Sequence, residues 1–469
     1  MVFNTPEFFI FFAIVVGLYY VFNHRWQNIL LVGSSYVFYS FWDWRFCGLL
    51  AISTILDWYC GLKIPGPNGK KWLYASVIGQ LGMLGFFKYF NFFEEAVRQM
   101  FLRLGWAADW WTLKVVLPVG ISFYTFQTLS YTIDIWRGKL KPVRSLMDFA
   151  VFVSFWPHLV AGPILRASFL LPQILERRKV TMRDWGEGTY FILVGLVKKV
   201  AVADVIVTAI EHARTYPMEY SSWQLVLTCY LFAIRVYCDF SGYTDIARGA
   251  SMFMGFRLQE NFRWPYFSAG ISEFWRRWHI SLSSWLRDYV YISLGGNRGG
   301  TYQTYRNLMI TMALCGLWHG PTWNYVLWGT INGVFLSIGR MIGKSYDAFV
   351  ERLGSMHLRP VWLFLVGLFT FQLMSMSHMF AILPGLPTSF DFFYRIFEFT
   401  FKADPDRQRL VLYAMAVVLA IDVPEALHRR HEYLLDKPFW VRGLVYSCFI
   451  ALIAVTWTNN YEPFFYFQF

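Results

Sequence analysis

The stretch Cys315-Gly-Leu-Trp-His-Gly-Pro-Thr-Trp-Asn324 (CGLWHGPTWN) lies between two apolar runs, "TYRNLMITMAL" before it and "YVLWGTINGVFLSIG" after it. An ionisable side chain inside a membrane-length apolar segment is costly, and Gly-Pro interrupts a helix. His319 therefore combines two features that a chain built only to span lipid would avoid. The rest of the sequence says whether lipid is the solvent here.

It is. Of 469 residues, 56% are hydrophobic and 21% aromatic, and only 15% are charged. A soluble domain carries about 25% charged residues, and the mean hydropathy is +0.38. Apolar runs near 8–22, 29–42, 46–60, 72–90, 113–133, 189–210, 222–239, 305–319, 323–343, 360–382, 408–423 and 440–458 approach the roughly 17–25 residues a spanning helix needs. They predict an all-α polytopic membrane protein of about 11–12 transmembrane helices, read as one domain over residues 1–469. The N-terminus lacks a basic stretch and a small-residue cleavage site, so the first run is expected to be an uncleaved anchor.

The net charge of +12 collects between apolar runs, at His24-Arg25, Lys63 with Lys70-Lys71, Arg137 to Arg144, and Arg177-Arg178-Lys179. Such loops face the cytoplasm, which puts the N-terminus outside. Charge placed this way is topological and argues against nucleic acid as a partner. Six cysteines lie in or beside apolar runs without a CxxC pair, so they read as small buried hydrophobes, with no metal site expected.

Two segments depart from the pattern of plain spans. Residues 146–173 are apolar but flanked by basic loops on both sides, and they contain "FWPHLVAGPI" (Phe155 to Ile164). A re-entrant element accounts for both observations, since non-helical backbone at depth must be buried in protein or line a cavity. Residues 240–304 lack a clean span. Within them Ile271, Phe274, Trp275, Trp278, Leu282, Trp285, Leu286 and Tyr289 recur at helical spacing, with Arg276, Arg277 and Arg287 on the remaining surface. The spacing predicts an interfacial amphipathic helix whose arginines face headgroups. His279 would share its apolar stripe with Trp275, Leu282 and Leu286.

There is no GxSxG elbow, HExxH motif or EF-hand loop, and "GRMIGKS" (Gly339 to Ser345) is one residue short of a phosphate loop. His428 and His431 fall in a charged loop and read as a solvated face. His158, His279 and His319 stand in unusual surroundings. The plain reading of His319 is a buried histidine satisfied by a backbone carbonyl; His279 is balanced between a structural and a functional reading, and His158 reads as structural. For His319 a functional reading is stronger: a neutral imidazole accepts a proton at physiological pH, and aimed at a hydroxyl attacking a thioester it contributes roughly 10²–10⁴-fold. Asp239, Asp245 and Asn261 border apolar runs and read equally as loop caps or as groups that orient a histidine or a substrate.

"WRRWHISLSSWLRDYVYISLGGNRGG" (Trp275 to Gly300) followed by "GLWHGPTWNYVLWG" (Gly316 to Gly329) resembles the membrane-bound O-acyltransferase family, as do "FWPHLVAGPI" and "YCDFSGYTDIA" (Tyr237 to Ala247). The likeness runs over essentially the whole chain and points to the bacterial branch that acetylates exopolysaccharides. It implies a helical ring around a central tunnel, with His319 as the catalytic histidine and His279 as the second histidine. It also implies O-acetylation of an extracytoplasmic polysaccharide, alginate first, with peptidoglycan, cellulose or teichoic acid as alternatives. The donor implied is acetyl-CoA, with no cofactor bound, and the acetyl group would pass to a periplasmic or membrane-anchored acetyltransferase partner at the bacterial inner membrane. Arg276, Arg277 and Arg287 are candidates for holding the phosphates of an anionic donor.

The C-terminus, "NNYEPFFYFQF" (Asn459 to Phe469), carries five aromatic residues in its last six. One reading is an interfacial aromatic belt. The ending also resembles the aromatic motif of the small protein that partners a teichoic-acid D-alanylation relative, which would make Tyr466 an acyl relay. Two readings compete with the enzyme. A transporter for an acetylated carrier would usually show related halves or membrane-embedded acids, and no internal repeat is present. A purely structural subunit leaves His319 unexplained.

Overall fold

The computed structural model describes residues 1–106, 115–160, 162–355, 357–458 and 462–465, and among them the secondary structure is helical, without a β-strand. Each expected apolar run overlaps a helix among the described residues, Ile121–Trp136 being the helix of the run expected over 113–133. Among the described residues, six helices are both long and apolar enough to cross a membrane: Phe46–Lys63, Ser222–Met252, Trp323–Gly343, Arg359–Met379, Pro405–His428 and Phe439–Thr456. The others are shorter or carry more polar residues, as Pro6–Val21 and Thr301–His319 illustrate. This is an all-α polytopic membrane protein.

The chain divides into two compact units, one comprising Met1–Thr189 and Ala247–Gln259, the other Tyr190–Ile246 and Glu260–Phe465. In the first, the 146–173 segment folds as Leu146–Ser154, Trp156–Leu159 and Ala167–Leu175. Trp156 is fully buried among Phe3, Phe8, Phe11, Phe12 and Phe38, and its backbone N–H donates to Ser35 Oγ at 3.0 Å. His158 is held within this unit. Gln127 donates its amide to the Phe152 carbonyl, so Gln127 Oε1 is left to accept from His158 Nε2 at 3.1 Å. That is the plain structural reading of this histidine.

The second unit contains the glycine-rich motif. The Thr301–His319 helix ends at the histidine, Gly320 is extended, and a new helix starts at Trp323. Gly-Pro is thus the terminator between two packed helices. The glycines of "GLWHGPTWNYVLWG" let the two backbones touch: a Cβ on Gly316 would lie 2.1 Å from the Tyr325 carbonyl oxygen, and one on Gly329 would lie 2.2 Å from that of Met312.

A second close contact joins Gly195 to Gly242, where a Cβ on Gly195 would meet the Gly242 carbonyl at 2.5 Å. Just beyond it, Val197–Ala203 is wound as a π-helix. The wider turn brings consecutive lysines inward. Lys198 pairs with Asp245 at 2.9 Å, while Lys199 pairs with Asp239 at 2.7 Å and Asp204 at 2.8 Å. Asp239 and Asp245 are therefore lysine partners, which neither sequence reading of them anticipated.

Candidate active site

The sequence spacing predicted one amphipathic helix through His279, and the structure breaks it there. Ile271–Arg277 and Ile280–Leu286 are separate short helices, followed by a π turn at Arg287–Tyr291. His279 lies between the helices in the left-handed region, at φ 42° and ψ 54°. A non-glycine residue held there is strained, and such strain persists only where neighbours over-determine it. The neighbours are in the Asn261 segment. The Asn261 carbonyl accepts from Ile280 N at 2.9 Å, and Arg263 N donates to the Arg277 carbonyl at 2.9 Å. Asn261 Oδ1 accepts from Ser281 N at 3.1 Å and Ser281 Oγ at 2.9 Å, and it meets His279 Nδ1 at 3.1 Å.

The break changes what His279 faces. On a continuous helix its ring would point with Trp275 and Leu282. Instead its ring centroid lies 6.5 Å from that of His319, with planes at 66°. Around the pair, Trp318 is 5.8 Å from His279 and 4.9 Å from His319, Phe240 is 4.7 Å from His279, and Trp328 is 5.0 Å from His319. His279 is fully buried and His319 is 8% exposed. Burial lowers the His279 pKa, because a charged ring would be poorly solvated, and so keeps the imidazole neutral. Two imidazoles in an aromatic box can accept a proton from a hydroxyl and stabilise the oxygen that results.

Beside this box is a cavity of about 1310 Å³. Arg276, Arg277 and Arg287 line it, joined by Arg263, Arg340 and Arg429, against a single lining carboxylate, Glu273. Arg263, Arg277 and Arg287 pair with Glu260, Glu273 and Asp288. Arg276, Arg340 and Arg429 make no ion pair among the described residues. The cavity wall adjoins the histidines, since it includes Ile280, next in sequence to His279, and Cys315, one helical turn before His319. An anion with an apolar portion suits such a lining.

Next to this cavity the structure corrects the solvated reading of His431. His431 is buried, with Nδ1 against Glu425 Oε2 at 2.6 Å and Nε2 against Glu260 Oε1. Glu425 also accepts from Trp264 Nε1 at 3.0 Å and from the Tyr190 hydroxyl at 2.7 Å. His428 is exposed, as expected.

Tyr466 lies outside the described residues. The tail just before it packs inside the second unit, where Phe465 N donates to Asp239 Oδ2 at 2.7 Å and Phe464 lies 5.5 Å from Phe240, the ring beside His279. At Phe464 and Phe465 the tail is therefore buried, where an interfacial belt would be exposed.

Comparison with known proteins fits this geometry. Residues 141–381 match the family model described as membrane-bound O-acyltransferase. A probable alginate O-acetylase AlgI of Azotobacter vinelandii is 43% identical over 350 residues, 73% of this chain and 69% of that protein. The Pseudomonas aeruginosa protein of the same description is 44% identical over 353 residues, 74% of this chain and 67% of that one. A peptidoglycan O-acetyltransferase of Helicobacter pylori is 34% identical over 386 residues, covering 74% and 72%. With its helical membrane architecture and paired histidines, this chain belongs to the membrane-bound O-acyltransferase family and is an O-acyltransferase.

Proposed function

We propose that the protein takes an acetyl group from a cytoplasmic donor, acetyl-CoA, and passes it across the bacterial inner membrane for O-acetylation of an extracytoplasmic polysaccharide, alginate. The observation that carries this is the pairing of His279 and His319 in one buried aromatic box beside an arginine-lined cavity. Alginate leads because the two alginate O-acetylase relatives share more identity with this chain than the peptidoglycan O-acetyltransferase does.

In this reading the arginines hold the donor's phosphates and its thioester reaches toward the histidines. His319 takes the proton of an attacking hydroxyl, whose oxygen bonds to the thioester carbonyl carbon. The tetrahedral adduct collapses, the carbon–sulfur bond breaks, and the thiolate takes the proton back from His319. The hydroxyl belongs either to the acceptor or to Tyr466, which would then carry the acetyl group as an ester. A periplasmic or membrane-anchored acetyltransferase partner receives the group outside. Labelled acetyl transfer by purified protein tests the reading. Donor consumed only by protein with His319 intact supports it, whereas transport of an acetylated carrier without bond cleavage would replace it with the transporter.

A further inference from the structure

Asn261 stands out among the groups around the two histidines. It is 1% exposed and 18 residues before His279, and its side-chain oxygen meets three partners at once. One of those partners is a backbone N–H, that of Ser281, which can only donate. The Asn261 atom facing it must therefore be the oxygen, which fixes the amide orientation. His279 Nδ1 faces the same oxygen. A hydrogen bond between them requires Nδ1 to carry the hydrogen, which leaves the lone pair on Nε2.

The other end of the amide sharpens the argument. Asn261 Nδ2 is buried and has no hydrogen-bond partner among the described residues. An aspartate would accept the same three bonds and leave no donor stranded. The chain instead has a group that accepts them without charge. Accepting bonds does not explain that choice, but keeping His279 neutral does, because a carboxylate against Nδ1–H stabilises imidazolium. Among the described residues, rings near His279 include Phe240, Phe262, Trp318 and His319, the last a titratable neighbour. The adjacent carboxylate, Glu260, is engaged with His431 and Arg263.

We propose that Asn261 is a positioning residue for acyl transfer: it locks His279 as the Nδ1–H tautomer, so that Nε2 is presented as a neutral proton or hydrogen-bond acceptor beside His319. This rests on His279 belonging to the site, and the experiment separates the two ideas. Membranes in which the wild type transfers label from acetyl-CoA are compared across pH with Asn261→Asp, Asn261→Ala and His279→Ala, each matched for folded protein. Asn261→Asp preserves the three accepted bonds and should fold. Its acidic limb should move to higher pH by about one unit or more as imidazolium is stabilised, with the lost rate recovered at alkaline pH. Asn261→Ala should lose about 10²-fold in maximal rate with little change in KM. An inactive His279→Ala beside an Asn261→Asp profile that superimposes on wild type overturns the positioning role alone. A fully active His279→Ala overturns the reading of His279, and this inference with it.

Discussion

His319 and His279 were legible as residues because each sits in a motif that an ordinary span would not contain. His319→Ala is expected to abolish polymer acetylation, a loss of at least about 10²-fold, with expression and membrane insertion unchanged. Acetyl content of the isolated polymer, read against the level of membrane-inserted protein, checks it. Tyr466→Phe removes a hydroxyl and keeps a ring, so a relay role predicts loss of polymer acetylation while donor binding survives. Full acetylation in that variant would leave the tail as packing. The residues that sequence reasoning missed are those whose meaning comes from distant partners. Asn261 was noticed as a polar group at the edge of an apolar run, yet nothing local says that its oxygen turns toward His279. His431 was read as solvated because its sequence neighbours are charged. Its carboxylate partners, Glu260 and Glu425, come from a loop 171 residues away and from the buried end of a helix. Taking the imidazole out leaves the buried Glu425 carboxylate facing the half-buried Glu260 without a charge partner between them, so His431→Leu should destabilise by about 3 kcal/mol. Thermal unfolding in detergent reads that directly.

At the scale of elements, hydrophobic periodicity located the helices and missed their interruptions. The apolar residues from Ile271 to Tyr289 keep helical spacing straight through His279, although two separate short helices carry them. The break is held from outside by the hydrogen bonds of the Asn261 segment, and a one-dimensional pattern carries no trace of it. The π-helix at Val197–Ala203 was hidden for a related reason. Lys198-Lys199 inside an apolar run reads as a blemish on a span until their aspartates are located on the Ser222–Met252 helix. Glycines were visible, but their separate jobs were not: Gly320-Pro321 ends one helix before the next begins, whereas the close approach of the two helices is made by Gly316 and Gly329. This distinction is testable. Gly316→Val would place a side chain into the Tyr325 carbonyl, a backbone atom that cannot swing aside, and should cost about 1–3 kcal/mol or more. Gly333→Ala, on the same helix pair, has Met309 Sδ as its nearest neighbour at 3.0 Å, with Met312 Cβ at 3.3 Å and Met309 Cα at 3.4 Å, and should be far milder, because a methionine side chain adjusts and no contact is as close as the 2.1 Å at Gly316. Fluorescence-detected gel filtration after a heating series should rank the two variants in that order.

Over the whole molecule, the membrane class and the basic character follow from composition, but the positive charge has two uses that a sum cannot separate. Loop lysines and arginines set topology. Others converge on the cavity from well-separated stretches, with Arg263 before the broken helix, Arg276, Arg277 and Arg287 along it, Arg340 on the Trp323–Ser355 helix, and Arg429 at the end of Pro405–His428. Sequence reasoning found the middle three because one short stretch, residues 276–287, carries them all. The geometry ranks all six differently. Arg263, Arg277 and Arg287 already face carboxylates, so part of their charge is compensated, whereas Arg276, Arg340 and Arg429 offer theirs to whatever enters. If the cavity holds the donor as proposed, charge reversal at Arg276 or Arg340 should therefore raise the KM for acetyl-CoA more than reversal at Arg287, while leaving kcat nearly unchanged, since in that reading these groups meet the donor away from the reacting carbon. These side chains are exposed, so their field is screened. Raising salt from about 0.1 M to 1 M shortens the Debye length from about 10 Å to 3 Å. The wild-type KM should climb over that range, and the Arg340→Glu enzyme should climb less, having lost part of the attraction that salt removes. A KM insensitive to both salt and charge reversal would move the donor out of this cavity, leaving the paired histidines to be served from another direction.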